Sequence, residues 1–483
     1  MMATMERSQV HVSDKASDEA WLVQALWSAR PLRERLSVLR AGRLGLARKT
    51  DALVSAISTE LARTRADSMV AEVLPLLAAC RFLEREAGEI LKTRRLGRRG
   101  LPFWLAGVES SVERVALGRV LVIGPENYPL FLPGVQVLQA LAAGNAVVWK
   151  PGAGGRDVAE IFADVMERAG LPDGLLTVTD ESVEAGVSAM RGGVDKVFFT
   201  GSGASGRAVM RAAAETATPV VAELSGCDAV IVLPSANVER VVAALLFGMR
   251  LNGSATCMAP RRLMLVGGGH ERLVARLTDA FAAMDGVVVR DSVREQLRGL
   301  VEEAKSAGAV VHGDVRDVFM KPLLVTRARP EMQLAQTDVF APVLTVMEFG
   351  DVGAMLEADR ACPFGLTAAV FGDEVEATRV GARMKVGTLL INDLIVPTAD
   401  PRVPFGGRRG SGFGVTRGAE GLLEMTAVKT VLVRRGKGLR QYVPTTDTHE
   451  NLFGGVIEME HGDGLRAKIK GLRRMIQAAM RLK

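Results

Sequence analysis

The sequence predicts an α/β protein with two domains, each built on a parallel sheet, and three observations predict it. From residue 119 onward, short apolar β-rich runs alternate with helical stretches: "RVLVIGP" before "PGVQVLQALAAG", "AVVWKP" before "GRDVAEIFADVMERAG", "KVFFTG" before "SGRAVMRAAAETA", then "PVVAELSG". A parallel sheet with crossover helices leaves this pattern. A second series, "AVIVLP", "RRLMLVGG", "GVVVR", "TAAVFG" and "GTLLIND", with helices between, predicts the second domain. Finally, 483 residues at 48% hydrophobic and 24% charged make an ordinary globular chain, long enough for two or three cores.

Along the chain, "MMATMERSQVHVSDKASDEA" has no apolar core and carries acids, so neither a secretory signal nor a typical transit peptide is expected there, and residues 1–17 read as a mobile tail. From Asp18 to Thr93, apolar residues recur every three or four positions, which predicts helices. "RRLGRRGLPFWLAGVESSVERVALG" turns from basic to apolar to polar and reads as loop and hairpin. No apolar run is long enough to cross a membrane as a helix. Cys80, Cys227, Cys257 and Cys362 are scattered, with no CxxC pair and no His/Cys cluster. A disulfide scaffold and structural zinc are therefore not expected, and a reducing, cytoplasmic setting is.

The charge is unevenly placed. Residues 466–483 carry Arg466, Lys468, Lys470, Arg473, Arg474, Arg481 and Lys483 with no acid, more than the whole net charge of +6. The body of the chain is thus near neutral, and no nucleic-acid partner is expected. From Leu465, Ile469, Leu472, Ile476 and Met480 recur at helical spacing among these cations. Such a basic amphipathic helix suits an anionic membrane surface, which would place the protein peripherally on the inner face of the membrane. A helix packed on the body or a solvated tail are the other readings of 465–483.

"KVFFTGSGASGRAV" contains Gly201-x-Gly203-x-x-Gly206 between a strand and a helix, a spacing that can present helix N–H groups to a phosphate. Glu223 follows where a dinucleotide fold places its ribose ligand. A competing reading links Glu223 to Cys257, in "LNGSATCMAPRR", and to Asn127, in the Pro-flanked turn "IGPENYPL". A thiol can add to an aldehyde, an amide N–H can stabilise the oxyanion, and a carboxylate can activate water to release the acyl group. His11, His270, His312, His449 and His461 lie outside all of these stretches.

These motifs, taken in order, resemble the aldehyde dehydrogenase superfamily over roughly residues 20–436. "PENYP" with Asn127, "GNAVVWKP" with Lys150, "FTGS" at 199–202, "ELSG" at 223–226, Cys257, "DVFAPV" at 338–343 and "PFGGRRGSGFG" at 404–414 carry the resemblance. It implies two Rossmann-like domains plus an oligomerisation hairpin: a cofactor-binding domain from 18–103 and 121–224, a catalytic domain over 225–424, oligomerisation strands at 104–120 and 425–436, and a C-terminal extension at 437–483. It also implies Cys257 as nucleophile, Glu223 as general base rather than ribose ligand, and Asn127 with the Cys257 N–H as oxyanion hole. NAD or NADP would be held by Pro125, Lys150, Gly201, Ser202, Gly206, Asp338 and Phe340. Tyr128, Thr256 and Met258 are candidates for the substrate pocket, and no metal is implied. The reaction implied is oxidation of an aldehyde, with a lipophilic or long-chain one leading, to its acid by a homodimer or tetramer. A CoA-acylating dehydrogenase and a catalytically silent binding relative are the alternatives; the presence of Glu223 favours hydrolysis.

Four stretches depart from the family pattern. Ala153 stands where NAD-preferring members carry a glutamate, so NADP is expected to be tolerated or preferred, with Arg156 as a partner for its phosphate. Asp338 replaces the glutamate expected on the nicotinamide ribose. Asn252-Gly253-Ser254-Ala255 replaces the usual Asn-x-Gly-Gln run, and Glu126 replaces a tryptophan.

Overall fold

A computed structural model describes residues 15–61, 63–316, 319–435 and 442–482. Most of the segment expected to be an N-terminal tail therefore lies outside the described residues, and a helix begins at Lys15. The chain divides into two compact units, Met1–Arg94 with Val112–Lys429, and Arg95–Ser111 with Thr430–Lys483.

The first unit holds both predicted sheets. One has six strands in the order Gly412–Phe413, Val220–Glu223, Lys196–Thr200, Arg119–Ile123, Ala146–Lys150 and Leu176–Val178. All pairs are parallel except the edge strand Gly412–Phe413. Helices Phe131–Ala143, Arg156–Arg168, Val183–Arg191 and Gly203–Ala214 connect these strands. Because parallel strands are covered on both faces, they read as continuous apolar runs, and Val120, Leu121 and Val122 are fully buried. Helices Leu32–Arg48 and Leu74–Ile90 add to this core through Leu39 and Leu46 and through Leu76, Cys80 and Leu83, the helical periodicity read in the sequence.

The second sheet has seven strands, ordered Val310–His312, Leu323–Thr326, Val343–Phe349, Pro260–Val266, Asp228–Val232, Thr367–Phe371 and Thr388–Ile391. Only the edge pair of Val310–His312 with Leu323–Thr326 is antiparallel. Two differences from the sequence reading arise here. "GVVVR" yields the two-residue strand Val287–Val288, which pairs with Phe319–Met320 outside the main sheet. Conversely, Leu323–Thr326 and Val343–Phe349 are sheet strands that the reading passed over.

The second unit contains two helices, Asp447–His461 and Gly464–Arg481, packed against each other where Gly455 and Gly471 let the backbones approach. The first of these helices was not expected. Among the described residues, no helix is long and apolar enough to cross a membrane.

Candidate active site

The carboxyl ends of the strands in the six-stranded sheet open on a cavity of about 620 Å³. This is where open α/β sheets bind ligands. Strand Arg119–Ile123 delivers Pro125 and Asn127 to its lining, Ala146–Lys150 delivers Lys150, Lys196–Thr200 delivers Gly201 and Ser202, and Val220–Glu223 delivers Glu223. Cys257, Asp338 and Phe340 line the same cavity. Ten positions singled out in the sequence, over a span of more than two hundred residues, thus face one space or, for Gly206, back it. Tyr128, Thr256 and Met258 do not line it; the Tyr128 and Thr256 hydroxyls are 2.9 Å apart and satisfy each other, and Met258 Sδ accepts from Thr398 at 3.7 Å.

The cofactor residues are built by local rules. The Ser202 hydroxyl accepts from Ser205 N at 3.1 Å and caps the twelve-residue helix Gly203–Ala214, whose N-terminal turn faces the cavity. A Cβ on Gly206 would fall 2.5 Å from Leu224 Cδ2, so any larger residue there makes Leu224 shift. Between this helix and Val183–Arg191, Val187, Met190, Ala208 and Val209 give an apolar slot. Burial lowers the Lys150 ammonium, while the neighbouring Glu181 and Asp180 carboxylates raise it. A cationic group, a capped helix start and an apolar slot at the strand ends fit a dinucleotide.

Two residues on the cofactor side have ionic partners within the protein. Arg156 does not line the cavity; its Nε is 2.7 Å from Glu160 Oε1 on the exposed face of its own helix. The Asp338 side chain, 5% exposed, lies 3.8 Å from Arg261 Nε. Burial pushes its carboxyl up to about 7 against the pull of Arg261.

Asn127 is 7% exposed and donates from Nδ2 to Ala255 O at 2.9 Å, which ties the "PENYP" turn to the loop carrying Cys257. That loop is made by three successive residues with positive φ, Asn252, Gly253 and Ser254, at 52°, 59° and 63°. Asparagine tolerates this region; serine does so at a cost and needs support. Arg261 provides it, donating to Ser254 Oγ at 2.8 Å and to Ser254 O at 2.7 Å. On the other side, a Cβ on Gly226 would fall 2.4 Å from Cys257 O, so the glycine of "ELSG" is what lets the glutamate loop lie against the cysteine loop.

Burial pushes the Cys257 thiol up, and the Glu223, Asp228 and Asp338 carboxylates add to the shift, with Arg417 opposing it. In the protein alone, Cys257 is therefore held as the neutral thiol. Glu223, 5% exposed, is also pushed up by burial, opposed by Arg417 and by a hydrogen bond from Thr416 Oγ1 to its Oε1. Arg417 lies with its guanidinium 4.3 Å over the Phe405 ring and donates to Thr398 O at 2.8 Å. Thr416 and Arg417 were not singled out in the sequence. Since Thr416 donates to the charged form, Thr416→Val should raise the Glu223 value further. The acidic limb of the pH–rate profile should then move upward by about one to two pH units, the worth of one hydrogen bond to a charged group. An unmoved limb would show that Glu223 does not control it. Cys227 takes no part in the cavity: it is 1% exposed and its thiol faces Ala335 O at 3.5 Å.

Comparison with known proteins places this geometry. The profile of the Aldehyde dehydrogenase family matches residues 1–431. A protein named 4,4'-diapolycopene aldehyde oxidase, from Methylomonas sp, is 29% identical over 452 residues, covering 91% of this chain and 85% of its own. A protein of Mycobacterium tuberculosis named putative succinate-semialdehyde dehydrogenase (NADP+) 2 is 28% identical over 87% of this chain and 84% of its own. Among solved structures, a point mutant of betaine aldehyde dehydrogenase from Staphylococcus aureus in complex with NAD+ superposes with a TM-score of 0.81. It is 25% identical and covers 89% of this chain and 91% of its own.

Proposed function

Because the chain belongs to the aldehyde dehydrogenase family, we propose that this cavity oxidises an aldehyde to its carboxylic acid through a thioester on Cys257, hydrolysed with Glu223 as base. The observation that carries the reading is the common lining of one cavity by Asn127, Glu223 and Cys257. NAD or NADP, when bound by Lys150, Gly201, Ser202 and the Gly203–Ala214 helix start, supplies the hydride acceptor. The Cys257 sulfur adds to the aldehyde carbon as its thiol proton passes to solvent, and the second Asn127 N–H, the one not spent on Ala255 O, together with the Cys257 backbone N–H, meets the oxygen as it becomes anionic. The tetrahedral adduct gives up hydride, its carbonyl reforms, and the acyl group remains on sulfur. Glu223 then takes a proton from water as the hydroxide adds, and the thiolate leaves. Burial makes Glu223 a stronger base than a free carboxylate, which suits this step.

The proposed cofactor range is NAD and NADP. Ala153 in the lining places no carboxylate where it would repel a 2′-phosphate, and relatives named or solved with either cofactor support both. The proposed substrate is a lipophilic aldehyde, supported by the substrate named in the Methylomonas relative. The proposed seat of the enzyme is an anionic membrane surface, as a homodimer or tetramer. Supporting the membrane, Leu465, Ile469, Leu472, Ile476 and Met480 are exposed along one stripe of the Gly464–Arg481 helix, flanked by Arg466, Lys468 and Arg473. A chain truncated after Pro444 should lose co-sedimentation with anionic liposomes, and undiminished binding would remove this helix from the account.

A ladder of aldehydes from short to long chain, run with NAD and NADP and with and without CoA, tests the function. Turnover without CoA that strengthens with chain length is expected. Turnover only with CoA would make the enzyme acylating and leave Glu223 without its step.

A further inference from the structure

Between the "PENYP" turn and the cysteine loop sits a buried ion pair that the mechanism above does not use. Arg63 and Glu72 meet at 3.0 Å, with side chains 3% and 0% exposed. Glu72 lies in the π-turn Met69–Val73, a local widening that often marks a functional position. Its other carboxylate oxygen accepts from Leu130 N at 3.2 Å and Phe131 N at 2.7 Å, at the start of the helix that follows Asn127.

Arg63 spends the rest of its fork on the two sides of the site. Nε donates to Asn252 Oδ1 at 2.5 Å, and Nη2 donates to the Asn127 carbonyl. The guanidinium also stands 5.0 Å over the Tyr128 ring. Asn252 completes the lock: its Nδ2 donates to Asn127 O at 3.0 Å and to Ala255 O at 2.9 Å. Ala255 O is the same atom that holds the Asn127 side-chain amide. One bond to that amide fixes its plane, and hence the direction of its second N–H. A rigid planar fork suits this task, because it fixes two acceptors at once.

We propose that Arg63, anchored by Glu72, is a positioning residue that holds the Asn127 amide in register with the Cys257 loop and so sets how well an oxyanion on Cys257-bound carbon is stabilised. The inference rests on the reading of Asn127 as oxyanion donor and Cys257 as nucleophile. Arg63 itself touches no reacting atom.

The test needs no aldehyde and no cofactor. In the full chain at alkaline pH, the small fraction of Cys257 present as thiolate attacks the carbonyl of p-nitrophenyl acetate, an oxyanion forms, and p-nitrophenolate leaves, giving a coloured readout; the Cys257→Ala background is subtracted. Iodoacetamide alkylates the same thiolate by displacing iodide with no oxyanion. Two variants keep the test independent of folding. Arg63→Lys keeps the charge beside Glu72, and Arg63→Met with Glu72→Gln leaves no unpaired buried charge.

Acylation should fall about 10-fold or more in both, the scale on which a misplaced oxyanion donor acts, while alkylation stays at the wild-type rate. In an Asn127→Ala background, the same Arg63 changes should cost little more, since the group they position is gone. Acylation undiminished in the Arg63 variants, acylation and alkylation falling in parallel, or full additivity with Asn127→Ala would each overturn the positioning role. Undiminished acylation in Asn127→Ala itself would instead overturn the oxyanion reading on which the inference rests.

Discussion

In Cys257→Ala, aldehyde-dependent reduction of NAD or NADP should fall by at least about 10⁴-fold, the scale seen when a nucleophile is removed. Fluorescence titration should show cofactor binding near the wild-type level, because the cofactor residues sit on other elements. No other thiol can substitute. Cys80, Cys227 and Cys362 are buried, and among the described residues none of them lines the cavity. Retention of more than a few per cent of activity would mean that the carbonyl adds to some other group.

Glu223→Gln should separate the two halves of the reaction. Acylation and hydride loss need no carboxylate, so a burst of NADH or NADPH near one equivalent per site should remain. Steady turnover should then slow by about 10²- to 10⁴-fold, the usual worth of a general base. The pH dependence carries the sign. Burial raises Glu223 above the ordinary carboxylate range. The deacylating form is the carboxylate, so wild-type turnover should climb with pH through that raised value and level off above it. In Glu223→Gln this limb should vanish. A limb that survives belongs to another group, and a variant that turns over normally has no need of a base at 223.

The lining of the candidate site was largely legible because its residues stand in short local motifs. "PENYP", "ELSG" and the stretch around Cys257 each place one reactive side chain at a strand end or on a tight loop, and such geometry depends on a few neighbours. What the motifs could not show are the groups that arrive from far along the chain. Arg63 reaches Asn252 across 189 residues, and Thr416 reaches Glu223 across 193. Neither stands in a pattern that sets it apart from other arginines and threonines; only the folded sheet order brings them in. Arg156 shows a related effect: in the protein alone, its guanidinium pairs with Glu160 one helical turn on, a partner that motif reading does not register. In the fold, four strands of the six-stranded sheet were read from the sequence, whereas the short strand Leu176–Val178 and the helix Asp447–His461 were not, and "GVVVR" and "VLTVMEF" could not be ranked. A strand buried on both faces has no alternation, so the seven-residue central strand and "GVVVR", which forms only a two-residue strand outside the main sheet, look alike as short apolar runs.

The central claim is an acyl group on Cys257 that waits for Glu223. The most direct measurement is the intact mass of the Glu223→Gln protein, quenched in acid after mixing with a long-chain aldehyde and NADP, followed by peptide mapping. The account predicts one acyl adduct per chain, of the mass of the aldehyde less one hydrogen replacing the thiol proton, on the peptide containing Cys257. An unmodified chain after a full equivalent of NADPH has formed, or an adduct on any other peptide, would contradict it.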